Sequence, residues 1–224
     1  MLAHRPLAAA AATMTAALLG LAALSGCAAA SAGPLPSAAA ASTPAGAQRV
    51  VVIGDSIESG LGLDPDESWP ALLAGSRGWR LTNLSVPGAG FVAQGPDGDD
   101  FSAQVETAIA TRPDVVFIGA SDNDLGVDTA QVANAVDKEV DRLHSALPDT
   151  RIVGFNALTG QAGDTDLAPL NAAVEKAVEK AGGTWLDLGQ PYRDRAGLVQ
   201  DDGEHPTLPG QQAIAAAVEA AFPS

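Results

Sequence analysis

The sequence predicts an α/β fold in which helices cover both faces of a parallel sheet. Five short apolar runs, many of them rich in β-branched residues, occur at 50–53, 81–86, 115–118, 152–155 and 184–188. Each is bounded by Gly, Asp, Asn or Pro, and continuous apolar runs of this length are typical of strands buried on both faces. Amphipathic stretches alternate with these runs, which predicts a parallel sheet with right-handed crossovers.

The predicted helices follow from apolar residues at helical spacing. The clearest stretches are 132–147 and 170–178, where valine, leucine and alanine recur every three or four residues. A last helix is predicted over 208–222. Because active sites of parallel α/β sheets lie at the carboxyl ends of the strands, the residues just after each apolar run are the candidates for function.

Composition limits the function classes. The 224 residues are 46% hydrophobic and 17% charged, which is enough apolar material to form a buried core. A formal net charge of −15 repels phosphate backbones, so we expect no nucleic-acid partner. The single cysteine, Cys27, excludes an internal disulfide and a cysteine-rich zinc site.

The N-terminal segment is typical of an export signal. Arg5 precedes an apolar run at 7–24, and Leu-Ser-Gly-Cys follows at 24–27. This tetrapeptide resembles the lipobox of bacterial lipoproteins, which implies a signal peptide at 1–26 and a lipid anchor on Cys27. Two alternatives stay open: cleavage within 28–32 with release of the protein, or retention of the apolar run as an anchor. All three place the domain outside the cytoplasm, either anchored to the outer face of the cell membrane or secreted.

The next segment is predicted to be a flexible tether. Residues 28–48 consist mostly of Ala, Ser, Pro, Thr and Gly, with no charged residue. Such a stretch cannot offset its ordering entropy by burial. The predicted organisation is therefore a signal at 1–26, a tether at 27–48 and one domain at 49–224.

Four polar segments follow predicted strands or lie near the C-terminus. They contain Ser56, Gly88, Asn123 and the pair Asp202 and His205. Each alone is equally consistent with a turn, a helix cap or a solvated loop. Together they supply a hydroxyl, amide donors, a carboxylate and an imidazole to one edge of the sheet, which is what acyl transfer requires.

The chemistry assigns a role to each. A serine hydroxyl needs a base, and an imidazole titrating near neutral pH can accept and return its proton, so we expect Ser56 as nucleophile and His205 as base. Asp202, three residues earlier, would orient the ring. The Ser56 N–H, the Gly88 N–H and the Asn123 side-chain amide are the candidate oxyanion donors. Of the other histidines, His4 lies in the signal and His144 is predicted to be a solvated helix residue.

These blocks resemble those of the SGNH hydrolases, also called the GDSL esterase/lipase family. Gly-Asp-Ser at 54–56, the glycine block ending at Gly88, Asn-Asp at 123–124 and Asp-Gly-Glu-His-Pro-Thr at 202–207 occur in the family's order. The resemblance implies a flavodoxin-like, three-layer α/β/α fold with about five parallel strands. It also implies a serine esterase mechanism without metal or cofactor, but it implies no particular substrate.

Two departures from the family pattern concern the third block. Ser121 stands where Gly-x-Asn-Asp usually has glycine, and Asp122 adds a charge beside Asn123. We expect Gly119 to perform that glycine's role. Glu58, two residues after the nucleophile, is predicted to be an exposed residue at a helix start.

The acidic segments and the aromatic residues indicate what the protein is expected to bind. The acidic residues at 122–128 miss the calcium-loop pattern, and 97–100 is predicted to be a solvated loop, so no metal is expected. Trp69 and Trp79 are predicted to pack in the core, although with Phe91 they could instead line an acyl pocket. The predicted substrate is a small-molecule or cell-envelope ester with a short acyl group, hydrolysed by a monomer. The alternative function is a non-catalytic surface lipoprotein that binds glycan or lipid.

Overall fold

The computed structural model describes residues 46–222, which form one five-stranded sheet and six α-helices. The strands are β1 (Arg49–Ile53), β2 (Arg80–Asn83), β3 (Val115–Gly119), β4 (Arg151–Phe155) and β5 (Thr184–Leu186). The helices are α1 (Ser56–Ser59), α2 (Trp69–Arg77), α3 (Phe101–Thr111), α4 (Thr129–Ala146), α5 (Asp164–Lys180) and α6 (Leu208–Ala221). All strand pairs are parallel and their order is β2-β1-β3-β4-β5, the flavodoxin-like order. The predicted fold class is confirmed.

The sheet is buried on both faces because its central strands are apolar after their first residue, and β3 is apolar throughout. Val51 and Ile53 of β1 pack into a core shared with α3, α4 and α5. Val50 and Val52 point the opposite way, into a core shared with α2 and α6. The alternation explains why these strands show no polar face in the sequence. The result is a three-layer sandwich whose strand ends meet at one edge.

Two strands end earlier than the apolar runs predict, and an asparagine side chain accepts from a backbone N–H beyond each of them. β2 stops at Asn83, whose Oδ1 accepts from Ser85 N at 3.2 Å and whose Nδ2 donates to the Glu58 carbonyl at 2.7 Å. Beyond β5, the Leu188 N–H donates to Asn156 Oδ1 at 2.6 Å rather than to a strand. Only at β5 does the asparagine replace a strand partner, because beyond β2 the N–H groups of Leu84 and Val86 still donate to the carbonyls of Val52 and Gly54 at 2.9 and 3.2 Å.

Acidic residues from the rejected metal patterns cap helices. Asp100 Oδ1 accepts from Ala103 N at the start of α3, and Asp128 Oδ1 accepts from Gln131 N at the start of α4, each at 3.0 Å. Among residues 46–222, no group of three or more His, Cys, Asp or Glu side chains is arranged to hold a metal ion. Nor does any helix in that range have the length and apolarity to cross a membrane. The predicted signal, Cys27 and nearly all of the predicted tether lie outside the described residues.

Candidate active site

The predicted nucleophile lies on the short helix that follows β1. Ser56 is the first residue of α1, and the preceding Asp55 accepts from the Ile57 N–H through Oδ1 at 2.9 Å. Glu58 Oε2 in turn accepts from the Asp55 N–H at 3.1 Å, which completes a reciprocal capping box. Asp55 and Glu58 are only 2% and 3% exposed. The serine backbone is thus fixed by two buried carboxyl groups.

Two buried glutamines from distant helices hold the same segment. Gln104 of α3 donates to the Gly54 carbonyl at 2.9 Å and accepts from the Gly54 N–H at 3.0 Å. Gln211 of α6 donates to the Ile57 carbonyl at 2.9 Å and accepts from the Trp69 N–H at 2.8 Å. Each amide satisfies one buried backbone N–H that has no backbone acceptor, that of Gly54 or Trp69, and adds a donor to a buried carbonyl.

The predicted base and its acid come from a tight turn before α6. Asp202 Oδ1 accepts from the N–H groups of Glu204 and His205 at 2.9 and 3.0 Å, so the aspartate orders its own turn. Its Oδ2 lies 2.7 Å from His205 Nδ1, and His205 Nε2 lies 3.0 Å from Ser56 Oγ. With the Nδ1 proton directed at the carboxylate, Nε2 is free to accept from the serine hydroxyl. The structure brings the three side chains together in one chain of hydrogen bonds.

Neighbouring backbone supports this turn. Gln200 N donates to the His205 carbonyl at 2.7 Å, next to an antiparallel bridge between Val199 and Pro206. On the other side, Gly160 N donates to Glu204 Oε1 at 3.0 Å, and a Cβ at position 160 would lie 2.8 Å from Glu204 Cα. Since real Cβ atoms do not approach a backbone that closely, only glycine lets the two loops pack in this way.

Two backbone N–H groups near the serine have no acceptor among the described residues. One belongs to Ser56, as the first residue of a helix, and the other to Gly88. Gly88 has φ +80°, a conformation that favours glycine. The loop that follows is anchored by buried Asp124, whose carboxylate accepts from three successive N–H groups, those of Phe91, Val92 and Ala93, at 2.7–3.0 Å. Both N–H groups are therefore available to a ligand.

Asn123 reaches the same cleft but its amide is engaged. Nδ2 donates to the Ala89 carbonyl and to Ser121 Oγ, both at 3.1 Å, and the Asn123 backbone N–H also donates to Ser121 Oγ at 3.2 Å. These distances are at the long end of the range for N–H···O bonds, so each is readily exchanged for a better acceptor. Asn123 can bind an oxyanion only by giving up one of them.

The carboxyl groups around the serine differ in their pKa. The hydrogen bond from His205, followed by those from two backbone N–H groups, lowers the pKa of Asp202 to about 2. Burial, and then the charge of Glu58, raises the pKa of Asp55 well above its usual range, and burial raises the pKa of Glu58. Burial, with Asp55 and Glu204 nearby, raises the pKa of Asp122 to about 7. Hydrogen bonds thus stabilise the anion of the acid beside the imidazole, whereas burial shifts the pKa values of Asp55, Glu58 and Asp122 upward.

The cleft above the serine has a volume of about 350 Å³. Its walls carry the polar side chains of Asp122, Asn123, Gln161 and Glu204, and Leu61 and Pro87 are its apolar side chains. No lysine or arginine side chain lines it. The cleft therefore offers a polar pocket with a small apolar wall.

The sequence model of the GDSL-like lipase/acylhydrolase family matches residues 52–213. The chain belongs to this family. Family membership makes the protein an SGNH-type ester hydrolase and agrees with the predicted resemblance. A search of curated proteins finds no match to the chain.

Solved structures share the fold of this hydrolase. One is the crystal structure of TesA, at 22% identity and TM-score 0.62, covering 78% of this chain and 98% of that one. Another is the psychrotrophic esterase EstA from Pseudoalteromonas sp., solved inhibited by monoethylphosphonate, at 16% and 0.62, covering 78% and 96%. A third is a family two carbohydrate esterase from Cellvibrio japonicus, at 17% and 0.63, covering 77% and 59%. At these identities the likeness concerns the fold.

Two predictions about single residues of the hydrolase, Glu58 and Gly119, are wrong, and a third is confirmed. Glu58 is buried and not exposed, because its carboxylate accepts from the Asp55 N–H and from Trp69 Nε1, the latter at 3.3 Å. Gly119 does not serve the site: it ends β3, and a Cβ there would lie 2.6 Å from the Phe155 ring. The interpretation of His144 as an exposed helix residue is confirmed.

The aromatic residues considered for an acyl pocket pack in the core. Trp69 and Phe91 are buried, Trp79 packs against the same core as Trp69, and none of the three lines the cleft. Leu61, Gln161 and Glu204 also line the cleft, although the sequence pattern did not predict them there. The position of Glu204 beside the predicted base was the one sequence feature that could have indicated its place in the cleft.

Proposed function

We propose that the hydrolase cleaves carboxylic esters with Ser56 as nucleophile, His205 as general base and Asp202 as the acid that orients the imidazole. The observation that carries this proposal is the pair of contacts at 3.0 and 2.7 Å that joins the three side chains. They fall within hydrogen-bond distance, as proton transfer from a hydroxyl to an imidazole requires.

In the proposed reaction, Ser56 Oγ attacks the ester carbonyl carbon while its proton moves to His205 Nε2. The imidazolium then returns that proton to the leaving alcohol as the C–O bond breaks and the acyl-serine forms. A water molecule next attacks the acyl group, again losing its proton to Nε2, and the serine leaves with that proton. Asp202 stabilises the imidazolium in both halves of the reaction.

The oxyanion hole is proposed to consist of three donors. The Ser56 and Gly88 N–H groups have no other acceptor among residues 46–222, so neither loses a hydrogen bond when it receives the oxyanion. Asn123 Nδ2 would add a third donor by exchanging its 3.1 Å contact with the Ala89 carbonyl. An anion is a stronger acceptor than a neutral carbonyl, which favours this exchange in the transition state.

A short acyl group is proposed because the cleft is small and largely polar. Leu61 and Pro87 form its apolar wall, and the large aromatic side chains nearby are in the core. Esters of p-nitrophenol with acyl chains of two to twelve carbons test this. We expect kcat/KM to be highest for the shortest chains, and a maximum at eight carbons or more would contradict the proposal.

Location is proposed from the sequence: the hydrolase is exported and held on the outer face of the membrane by lipid on Cys27. Growth of producing cells with radiolabelled palmitate, followed by isolation of the full chain, tests this. We expect label in the natural protein and none after Cys27→Ala. An unlabelled protein in the medium would instead favour cleavage within residues 28–32 and release.

The catalytic proposal is tested with p-nitrophenyl acetate. Ser56→Ala and His205→Ala should each lower kcat by about 10⁴ or more, whereas His144→Ala, on an exposed helix position, should leave it unchanged. Activity in Ser56→Ala close to that of the natural protein would overturn the assignment. Absence of activity of the natural protein on any ester would favour the glycan- or lipid-binding alternative.

A pH profile gives a second test. Since an imidazole that acts as the base must be neutral, kcat/KM should fall as the pH is lowered. A rate that is the same at acid and alkaline pH would contradict general-base catalysis by His205.

A further inference from the structure

Ser121 is the departure from the family pattern that the mechanism leaves unexplained. Its side chain is 1% exposed and lies between the Asn123 loop and the segment that carries the nucleophile. The hydroxyl oxygen is 2.6 Å from Asp55 Oδ2, the shortest side-chain contact among the residues around the site. A glycine at this position would provide no such bridge.

The hydrogen bonds of this hydroxyl are complete. It has one proton, which it donates to Asp55 Oδ2 in preference to the Ala89 carbonyl at 3.0 Å. It has two lone pairs, and these accept from the backbone N–H and the Nδ2 of Asn123 at 3.2 and 3.1 Å. A hydroxyl can make no more bonds than this, so Ser121 is fully used as a junction.

The junction links two parts of the proposed machinery. Asp55 caps the helix that begins with Ser56, and Asn123 presents an amide to the cleft. Burial and the charge of Glu58 raise the pKa of Asp55, while the Ser121 hydrogen bond opposes that rise. We propose that Ser121 is a positioning residue: its hydroxyl, anchored by the hydrogen bond to Asp55, holds the Asn123 side-chain amide where it can donate to the oxyanion. This inference rests on the proposed function, because it acts through the proposed oxyanion donor.

The proposal specifies which kinetic constant changes. Without the hydroxyl, Asn123 Nδ2 keeps only the Ala89 carbonyl, so the amide can turn away from the cleft. The ground-state ester needs little from this donor, whereas the developing oxyanion needs it most. Loss of Ser121 should therefore lower kcat and leave KM nearly unchanged.

The test compares Ser121→Ala, Ser121→Gly and a matched control, Ser68→Ala, on p-nitrophenyl acetate. Ser68 is also buried, but its hydroxyl bonds only to the Pro65 carbonyl, three residues away. We expect kcat to fall by about tenfold or more in both Ser121 variants, with KM within about twofold, and no change of kcat in Ser68→Ala. Unchanged kcat in Ser121→Ala or Ser121→Gly would overturn the proposal.

A double-mutant cycle separates positioning from a general structural effect. Asn123→Ala is combined with Ser121→Ala, and kcat is measured for all four proteins. If Ser121 acts through Asn123, its replacement in the Asn123→Ala background should lower kcat by less than about twofold. The full tenfold loss in both backgrounds would show that Ser121 acts elsewhere and would overturn the inference.

Folding and the proposed function are controlled separately. Melting temperatures report whether a Ser121 variant is folded. If Ser121→Ala unfolds, Ser121→Cys replaces it, because a thiol keeps a weak donor of similar size. We expect kcat to fall in Ser121→Cys as well. Failure of the proposed function would show in a different variant, because Ser56→Ala would then keep its activity. Failure of the inference leaves Ser56→Ala inactive and the Ser121 variants fully active.

Discussion

Two regions bring their side chains to the same hydrogen bond, and they are built in different ways. The nucleophile segment, 54–60, is buried and held by Gln104 and Gln211 from distant helices. The histidine turn, 202–205, is ordered largely by its own Asp202, whose side chain is 48% exposed. One side of the site is therefore part of the core, whereas the other is a local turn on the surface.

The two aspartates illustrate the difference. Asp55 is buried beside Glu58, which raises its pKa, whereas the hydrogen bonds of Asp202 lower its pKa to about 2. Buried charge is costly, but an exposed carboxylate with three N–H partners is stabilised as an anion. Apart from Ser56 itself, changes to the buried segment and its supports should therefore act mainly on stability, and changes to the turn mainly on catalysis.

The largest expected effect is on catalysis and comes from the turn. Asp202→Asn should lower kcat by about 10³–10⁴, because an amide no longer selects the Nδ1-protonated imidazole. The melting temperature should change by only a few degrees, since the side chain is half exposed. Kinetics on p-nitrophenyl acetate and calorimetry measure both, with the exposed neighbour Asp201→Asn as control. If Asp202→Asn lost much stability but kept full activity, the turn would be important for stability and not for catalysis, contrary to this prediction.

The buried segment should respond in the opposite way. Gln104→Leu removes both hydrogen bonds to Gly54, which leaves the buried Gly54 N–H without a partner and its carbonyl with only the Val86 N–H at 3.2 Å. We expect the free energy of unfolding in urea to fall by about 1–3 kcal/mol. Gln131→Leu, at an exposed position of α4, is the control and should change it little. Equal stability of the two variants would show that the segment does not depend on the hydrogen bonds of Gln104.

A smaller effect is expected at Asn123, the proposed third oxyanion donor. Asn123→Ala should lower kcat by tenfold or more, because it removes a donor that strengthens only as the oxyanion forms. KM should stay nearly constant, and the measurement is a substrate titration with p-nitrophenyl acetate. Unchanged turnover would remove Asn123 from the mechanism and leave the two backbone N–H groups as the oxyanion hole.

The smallest effect concerns pH and the acid that lies between the two regions. The pKa of Asp122 is raised to about 7, so stability associated with its neutral form is present below about pH 4 and is lost as the pH rises through 7. Asp122→Asn cannot ionise. Its melting temperature should therefore exceed that of the natural protein by a few degrees at pH 8 and by less at pH 5.

The exposed loop aspartate provides the control for this prediction. Asp149→Asn, between α4 and β4, should show the same difference from the natural protein at both pH values. A stabilisation by Asp122→Asn that is larger at pH 5 than at pH 8 would mean that the carboxylate, and not the neutral acid, is the favoured form in the fold.

The fold could be predicted because its signals are local. Apolar runs of strand length define four of the strands to within one or two residues. Helical spacing locates the helices at 129–146 and 164–180, although the predicted stretches start three and six residues after those helices begin. The proximity of Ser56 and His205 was also predictable, since the carboxyl ends of parallel strands meet at one edge. Strand ends that depend on a distant side chain, such as that of β5 with Asn156, were not.

The supports of the site could not be predicted for the same reason. Gln104 and Gln211 lie on helices, where glutamine is usually solvated, and their partners are 50 and 154 residues away along the chain. A glutamate at a helix start is compatible with exposure, so burial of Glu58 required the position of Trp69 to be known. Long-range polar contacts of this kind leave no periodic pattern in a sequence.

The close packing at Gly160 has a consequence for how tolerant this enzyme is to change. The main chain at Gly160 packs directly against the main chain of the turn that carries His205, so a side chain at position 160 would displace that turn. A methyl group added at position 160 would overlap the main chain of the turn. A redesign of the cleft that considers only its side chains would therefore overlook a position at which substitution is expected to move His205.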